Sequence, residues 1–108
     1  MSNQAVFSVK QPSDGTMVLG GEVDLSNSPQ VKSLLEEWLR KSLPSYTLDL
    51  RPLKRIDSSG LGLVVGAYRR AVTQVDPPAT FQVRAGGSVL RVLLLIGLDR
   101  IFTVIPET

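Results

Sequence analysis

Strand-type and helix-type patterns alternate along this chain, and the alternation limits the folds it can adopt. Five segments alternate, or are short and apolar between turn residues, and are predicted strands: Ala5–Lys10, Thr16–Val23, Tyr46–Leu50, Ala79–Ala85 and Ile101–Ile105. Three segments have apolar residues at helical spacing: from Ser28 to just before Pro44, Ser58–Gln74, and Val89–Ile96. The order β-β-α-β-α-β-α-β predicts an α/β fold with a mostly parallel sheet and packed helices.

Turn and capping residues set the expected limits of these elements. Asp14–Gly15 is a strong turn signal between the first two strands and predicts a hairpin. Ser28 is the expected N-cap of the first helix, with Pro29 at its first position. Ser88 is the expected N-cap of the third helix, and Arg51–Arg55 is expected to form a loop.

Composition excludes several classes of function. The 108 residues are 43% hydrophobic and 20% charged, which predicts one globular domain. The net charge of +2 comes without a basic stripe interleaved with aromatic residues, so we do not expect nucleic-acid binding. The absence of cysteine and histidine excludes disulfides and removes the commonest general base and transition-metal ligand. No run of about 20 apolar residues predicts a membrane span, and Met1–Gln4 lacks signal-peptide character, so we expect a cytoplasmic location.

The sequence Asp57-Ser58-Ser59 stands at the predicted start of the second helix and is the strongest candidate site. The first N–H groups of a helix lack intrahelical partners and the dipole is positive there, so such a position favours an anion or a phosphate. Two interpretations remain open: a simple helix cap, or hydroxyl groups exposed at one end of the sheet. Gly60 and Gly62 favour the second, because they would leave the backbone bare for a partner.

Hydrolytic, nucleotide-binding and metal sites fit the sequence poorly. A nucleophile elbow requires G-x-S-x-G, but Ile56 or Asp57 stands where the first glycine should be. Without histidine, a serine hydrolase would need a lysine base, and Lys54 is too close in sequence. The P-loop motif is absent, the Gly60–Gly66 spacing is one residue too long for a dinucleotide fingerprint, and no EF-hand spacing occurs. We therefore expect no catalysis, cofactor or metal.

The motif Asp57–Gly62 (D-S-S-G-L-G), preceded by Gly21–Asp24 (G-E-V-D), resembles the STAS domain of bacterial anti-sigma-factor antagonists. The elements Val89–Arg91 and Gly97–Phe102 are also similar, so the resemblance covers almost the whole chain in order. It implies one STAS domain over residues 1–108. It also implies a mixed, mostly parallel sheet of four to five strands, with about three helices mainly on one side.

The resemblance also implies a function. Members of this family bind an anti-sigma factor that is also a serine kinase, and so release a sigma factor. The kinase phosphorylates the first motif serine, which is Ser58, with Ser59 as the less favoured alternative, and a PP2C-type phosphatase resets it. Asp57 either positions the Ser58 hydroxyl for the kinase or only caps the helix. The loop from Asp24 to Ser28 and the motif helix form the family interface. The implied partner-binding residues are Asp24, Ser26, Asp57, Ser58, Ser59, Gly60, Leu61 and Gly62.

The third helix departs from the family pattern. Leu90 and Leu94 lie off the stripe formed by Val89, Val92, Leu93 and Ile96, so the helix is apolar nearly all round. Either the helix is more buried than usual, or it offers a surface to a partner or to a second copy in a homodimer. An alternative within the fold is a STAS scaffold subunit of a membrane transport complex, such as a lipid ABC transporter or an anion transporter.

Overall fold

The computed structural model of the protein describes residues 6–73 and 78–107. Within these ranges the elements follow one another in this order: β1 Phe7–Ser13, β2 Thr16–Val23, α1 Ser28–Leu39, β3 Ser45–Asp49, β4 Leu53–Ile56, α2 Ser58–Thr73, β5 Thr80–Ala85, α3 Gly87–Leu95 and β6 Thr103–Pro106. A short 3₁₀ turn, Leu98–Arg100, precedes β6. The predicted alternation of strands and helices is confirmed. The predicted ends at Ala5 and Gln74 lie outside the described residues.

The strands form one mixed sheet in the order β1-β2-β3-β5-β6, with β4 beside β2. The β1–β2 hairpin is antiparallel and the other pairings are parallel. After β3 the chain makes a tight turn, in which the Leu53 N–H donates to the Leu50 carbonyl at 3.0 Å. Strands β3 and β4 therefore lie end to end beside β2: Met17 pairs with Leu48, and Val23 pairs with Ile56. The predicted α/β fold with a mostly parallel sheet is confirmed.

Strand β4 corrects the expected loop over Arg51–Arg55 and adds a sixth strand to the sheet. Sequence reasoning missed it because the strand has four residues, too few to show a period. Its two central residues, Lys54 and Arg55, are exposed, and only Leu53 is fully buried. The strand is important because it leads directly into the start of α2.

The helix caps also differ from expectation. Helix α1 begins at Ser28 itself, and the N-cap is the buried Asn27. Helix α3 begins at Gly87 after Gly86, so Ser88 lies inside its first turn, where its hydroxyl donates to the Lys54 carbonyl at 3.2 Å. The end of α3 is as predicted, since Gly97 adopts the left-handed conformation that stops a helix.

Two strand limits are corrected as well. Strand β1 continues through Pro12–Ser13, which is possible because an edge strand tolerates a missing N–H donor. Strand β6 begins at Thr103 and not at Ile101, because the 3₁₀ turn Leu98–Arg100 and the two residues after it occupy the preceding positions.

The core lies between the helices and one face of the sheet. Leu48 and Val83, neighbours in register on β3 and β5, are completely buried on that face. Trp38 of α1 packs edge-on against Tyr46 with ring centroids 4.9 Å apart, which confirms its predicted core position. On the opposite face Gln82 donates to the Thr47 hydroxyl at 3.0 Å, and both are only half-buried. The helices thus cover mainly one side of the sheet.

The glycines of α2 have different roles. A Cβ on Gly60 would lie 2.6 Å from Ile56 Cγ1 and 3.1 Å from Val23 Cγ1, so this position permits close approach of α2 to the sheet. A Cβ on Gly62 or Gly66 would meet no atom within 4 Å outside its own stretch of helix. The close-packing role therefore belongs to Gly60, while Gly62 and Gly66 are open to solvent.

This difference predicts opposite effects on stability. Gly66→Ala should raise the free energy of unfolding by about 0.5–1 kcal/mol, because alanine loses less backbone entropy in a helix and nothing obstructs its methyl group. Gly60→Ala should lower it by about 1–3 kcal/mol through overpacking. Urea denaturation of the two variants measures both values, and destabilisation by Gly66→Ala would contradict the described packing.

Candidate functional site

Asp57 caps α2 through one carboxylate oxygen. Its Oδ1 accepts from the Ser59 hydroxyl at 2.5 Å and from the Gly60 N–H at 3.1 Å. Its carbonyl accepts the first bond of the helix from the Leu61 N–H at 2.9 Å. The carboxylate thus satisfies donors that the helix itself leaves without partners, and its charge faces the positive end of the dipole. Asp57 bonds to Ser59 and not to Ser58, which is the geometry of a helix cap.

The second oxygen of Asp57 holds a distant loop. Its Oδ2 accepts from the Leu25 N–H at 3.2 Å, across 32 positions of sequence. Leu25 belongs to the turn between β2 and α1, which we call the β2–α1 loop and define as Asp24–Asn27. One side chain therefore joins the start of α2 to this loop.

The β2–α1 loop is further ordered by its own side chains. Asp24 Oδ1 accepts from the Ser26 N–H at 2.8 Å and from the Ser26 hydroxyl at 2.6 Å. Asn27 Oδ1 accepts from the Asp24 N–H at 3.0 Å, while its Nδ2 donates to the Glu22 carbonyl at 2.9 Å. Because Asn27 is buried, its bonds hold the loop on the side that faces the protein interior.

Ser58 and Ser59 differ in accessibility. Ser58 is the first residue of α2 and is exposed. Within residues 6–73 and 78–107 its hydroxyl makes no hydrogen bond. Ser59 is half-buried and its hydroxyl is already engaged by Asp57. The geometry leaves Ser58 as the hydroxyl that a reagent or partner can reach, and gives Ser59 a structural role in the first turn.

Most of the residues predicted for partner binding lie together at the carboxyl end of the parallel strands. Asp24 and Ser26 lie in the loop that Asp57 holds, next to the serines. Gly62 is exposed one turn further along α2, whereas Leu61 is half-buried against the core. Gly60 is a correction: it is buried under Ile56 and Val23, so it shapes the site through packing and offers no surface.

A cleft of about 210 Å³ borders this group, and sequence reasoning missed most of its lining. Its polar rim combines Glu22, Asp24 and Asp57 with Arg55, and its floor is formed by Val89 and Val92 of α3. Arg55 Nη1 lies 3.8 Å from Glu22 Oε2, so the two side chains form an ion pair. Arg55 was missed because β4 was not predicted, and it is β4 that pairs Arg55 with Glu22.

The basic residues that precede the motif have different partners. Arg51 forms a two-pronged ion pair with the buried Asp49, at 2.7 Å between Nη2 and Oδ2 and 2.9 Å between Nε and Oδ1. This hydrogen bond from Arg51 holds the pKa of Asp49 below its usual value, against the opposing effect of burial. Arg51 is therefore occupied in the fold, while Lys54 is exposed.

Two further observations concern other kinds of site. Among the described residues, no helix is both long and apolar enough to cross a bilayer. Over the same ranges, the acidic side chains form no group of three or more that could hold a metal ion.

The capping role of Asp57 predicts a pH dependence. The hydroxyl of Ser59, then the N–H of Gly60, hold the Asp57 pKa below its usual value of 3.8. Its contribution to stability is therefore full above that value and is lost as the pH falls through the lower folded-state pKa. We predict that Asp57→Asn lowers the unfolding temperature at pH 7 and flattens its decline below about pH 4. Thermal unfolding across pH measures this, and parallel curves for the two proteins would contradict the assignment.

Comparison with known proteins gives consistent matches. The family model described as "Mlab, STAS domain" matches residues 7–106. An anti-sigma F factor antagonist of Paenibacillus polymyxa is 35% identical over 69 residues, which is 56% of this chain and 59% of that protein. An anti-sigma-B factor antagonist of Listeria monocytogenes is 37% identical over 51 residues, 47% of this chain and 45% of that protein. The matches thus span about half of the length of these relatives.

Solved structures agree with this result. The crystal structure of an anti-sigma factor antagonist from Mycobacterium paratuberculosis superimposes with a TM-score of 0.77 at 25% identity, over 96% of this chain and 87% of that chain. The unphosphorylated form of the anti-sigma factor antagonist SpoIIAA gives a TM-score of 0.70 at 20% identity, over 95% of this chain and 89% of that chain, which supports the fold alone. Because the family model covers nearly all of the described residues, this chain belongs to the STAS domain family.

Proposed function

We propose that this protein is an anti-sigma-factor antagonist whose binding to an anti-sigma factor is controlled by phosphorylation of Ser58. The observation that carries the proposal is the exposed Ser58 hydroxyl, which makes no bond within the described residues and lies beside an ordered loop. The similarity to antagonists from Paenibacillus and Listeria supports the same role. The anti-sigma factor would also be the serine kinase, and a PP2C-type phosphatase would remove the phosphate.

A phosphate on Ser58 would act on the interface and not on the fold. A phosphoserine carries about −1.5 to −2 charges at neutral pH. At the N-terminus of α2 this charge is favourable to the helix dipole, so folding should survive. At the surface it joins the carboxylates of Asp57 and Asp24, and a partner surface shaped for a neutral hydroxyl then meets added bulk, desolvation and like charge. Release of the partner therefore needs no large conformational change.

Several further features belong to the same proposal. Residues 1–108 would form one STAS domain that works in the cytoplasm, by binding and without catalysis, metal or cofactor. Direct nucleic-acid binding and membrane insertion form no part of it. Asp24, Ser26, Asp57, Ser58, Ser59, Leu61 and Gly62 would contribute the partner surface, with Gly60 supporting it from inside.

The first test uses Ser58 variants. We predict that Ser58→Asp weakens binding at least tenfold, because the new carboxylate adds charge to the interface, while Ser58→Ala binds as the wild type does. The probes are the purified anti-sigma factors of the source organism, tested one by one by isothermal titration calorimetry. Incubation with ATP and the anti-sigma factor that binds should phosphorylate the wild type and leave Ser58→Ala unmodified.

Thermal unfolding of both variants provides the control, since each should remain folded. Equal affinity of Ser58→Asp and Ser58→Ala for the partner would overturn the switch. Phosphate transferred to Ser59 in the wild type would move the acceptor site by one residue.

A second candidate function is supported by the end of α3. Four large apolar residues are exposed there and form what we call the α3-end surface: Leu94, Leu95, Ile96 and Ile101. Ile96 is exposed although it shares the predicted stripe of α3, in which only Val89 and Leu93 are fully buried. Leu94, which lies off that stripe, is exposed as well, so of the two alternatives for this helix its end fits the one that offers a surface. A surface of this kind would suit a STAS scaffold subunit of a membrane transport complex, or a homodimer.

The oligomeric state tests the homodimer. If the α3-end surface joins two copies, Leu95→Glu should convert a dimer to a monomer, because it would bury a charge without a partner. Light scattering coupled to size-exclusion chromatography measures the mass. A monomeric wild type at high protein concentration rules out the homodimer and leaves the surface to a different partner.

A further inference from the structure

We propose that Leu25 is the apolar anchor with which this protein binds its anti-sigma factor. The inference rests on the proposed function and adds the residue that would supply much of the affinity. Its binding site on the partner would be an apolar pocket adjoining the surface that approaches Ser58.

Leu25 is exposed without a structural reason in its own chain. It is 77% exposed, although Val23, two positions earlier, is buried in the core. A single exposed leucine is ordinary on a protein surface. Leu25 differs because the backbone of the surrounding loop is hydrogen-bonded at almost every residue, so the position of the leucine backbone is fixed.

The fixed backbone is what makes the side chain suited to binding. The Leu25 N–H donates to Asp57 Oδ2 at 3.2 Å, and the next N–H, that of Ser26, donates to Asp24 Oδ1 at 2.8 Å. The Ser28 N–H donates to the Asp24 carbonyl at 2.9 Å and closes the loop. An apolar side chain on an ordered backbone loses little additional entropy on binding, which increases the affinity that its burial yields.

The same bonds place Leu25 beside the switch. Asp57 accepts from the Leu25 N–H and directly precedes Ser58, so a single residue links the exposed leucine to the exposed serine. A phosphate on Ser58 would bring a strongly hydrated dianion to the edge of the pocket in which Leu25 must become dry. Desolvation at the anchor would then add to like-charge repulsion as the means of release.

The test compares two leucines of equal exposure. Leu25→Ala removes the anchor, and Leu95→Ala is the matched control, since Leu95 is 78% exposed at the far end of α3 and outside the interface proposed for the anti-sigma factor. Calorimetric titration with the anti-sigma factor that binds the wild type should give at least about tenfold weaker affinity for Leu25→Ala and unchanged affinity for Leu95→Ala. Both variants should unfold at the wild-type temperature, because neither side chain is buried.

The outcomes separate this inference from the proposed function. Wild-type affinity for Leu25→Ala, with binding still lost in Ser58→Asp, would overturn the anchor and leave the switch intact. Weaker binding by Leu95→Ala alone would move the contact to the α3-end surface and overturn the anchor. Absence of binding by the wild type to every anti-sigma factor of the organism would overturn both proposals.

Discussion

The Asp57 carboxylate joins the start of α2 to the β2–α1 loop, across 32 positions of sequence. One oxygen accepts from the first turn of α2, and the other accepts from Leu25 in the β2–α1 loop. A cap that used only one oxygen would leave the Leu25 N–H without this partner. Because both oxygens are used, the exposed Ser58 hydroxyl and the loop form one surface of fixed shape.

The position of Asp57 in turn depends on β4. This strand pairs Ile56 with Val23, and the Asp57 N–H continues the pairing by donating to the Val23 carbonyl at 3.2 Å. Gly60 lets the first turn of α2 lie close to Ile56 and Val23, because a Cβ there would stand 2.6 Å and 3.1 Å from their side chains. A four-residue strand and one glycine thus position the start of α2 beside the end of β2.

In the proposed switch, folding and regulation depend on different parts of the molecule. The core lies behind the site, and the start of α2 already accommodates a carboxylate, so a phosphate on Ser58 in the proposed switch would weaken the contact with the anti-sigma factor more than the fold. The apolar residues exposed at the end of α3 lie at the opposite end of the sheet, because α3 runs from the carboxyl end of β5 back to the amino end of β6. The two surfaces can therefore serve different partners.

The sequence by itself determined the class of the fold and the position of the motif. The alternation of strand and helix periods requires helices packed on a mostly parallel sheet, and the capping chemistry of Asp57-Ser58-Ser59 locates the start of α2. Only the tertiary structure decided the rest. Periodicity cannot reveal β4, whose partner is β2 some 30 residues earlier, nor the bond between Asp57 and Leu25. It also cannot distinguish Gly60, which is covered by Ile56 and Val23, from Gly62, which faces solvent. These features depend on contacts between segments that are distant in sequence, and a local sequence pattern does not indicate which distant segment will pack against it.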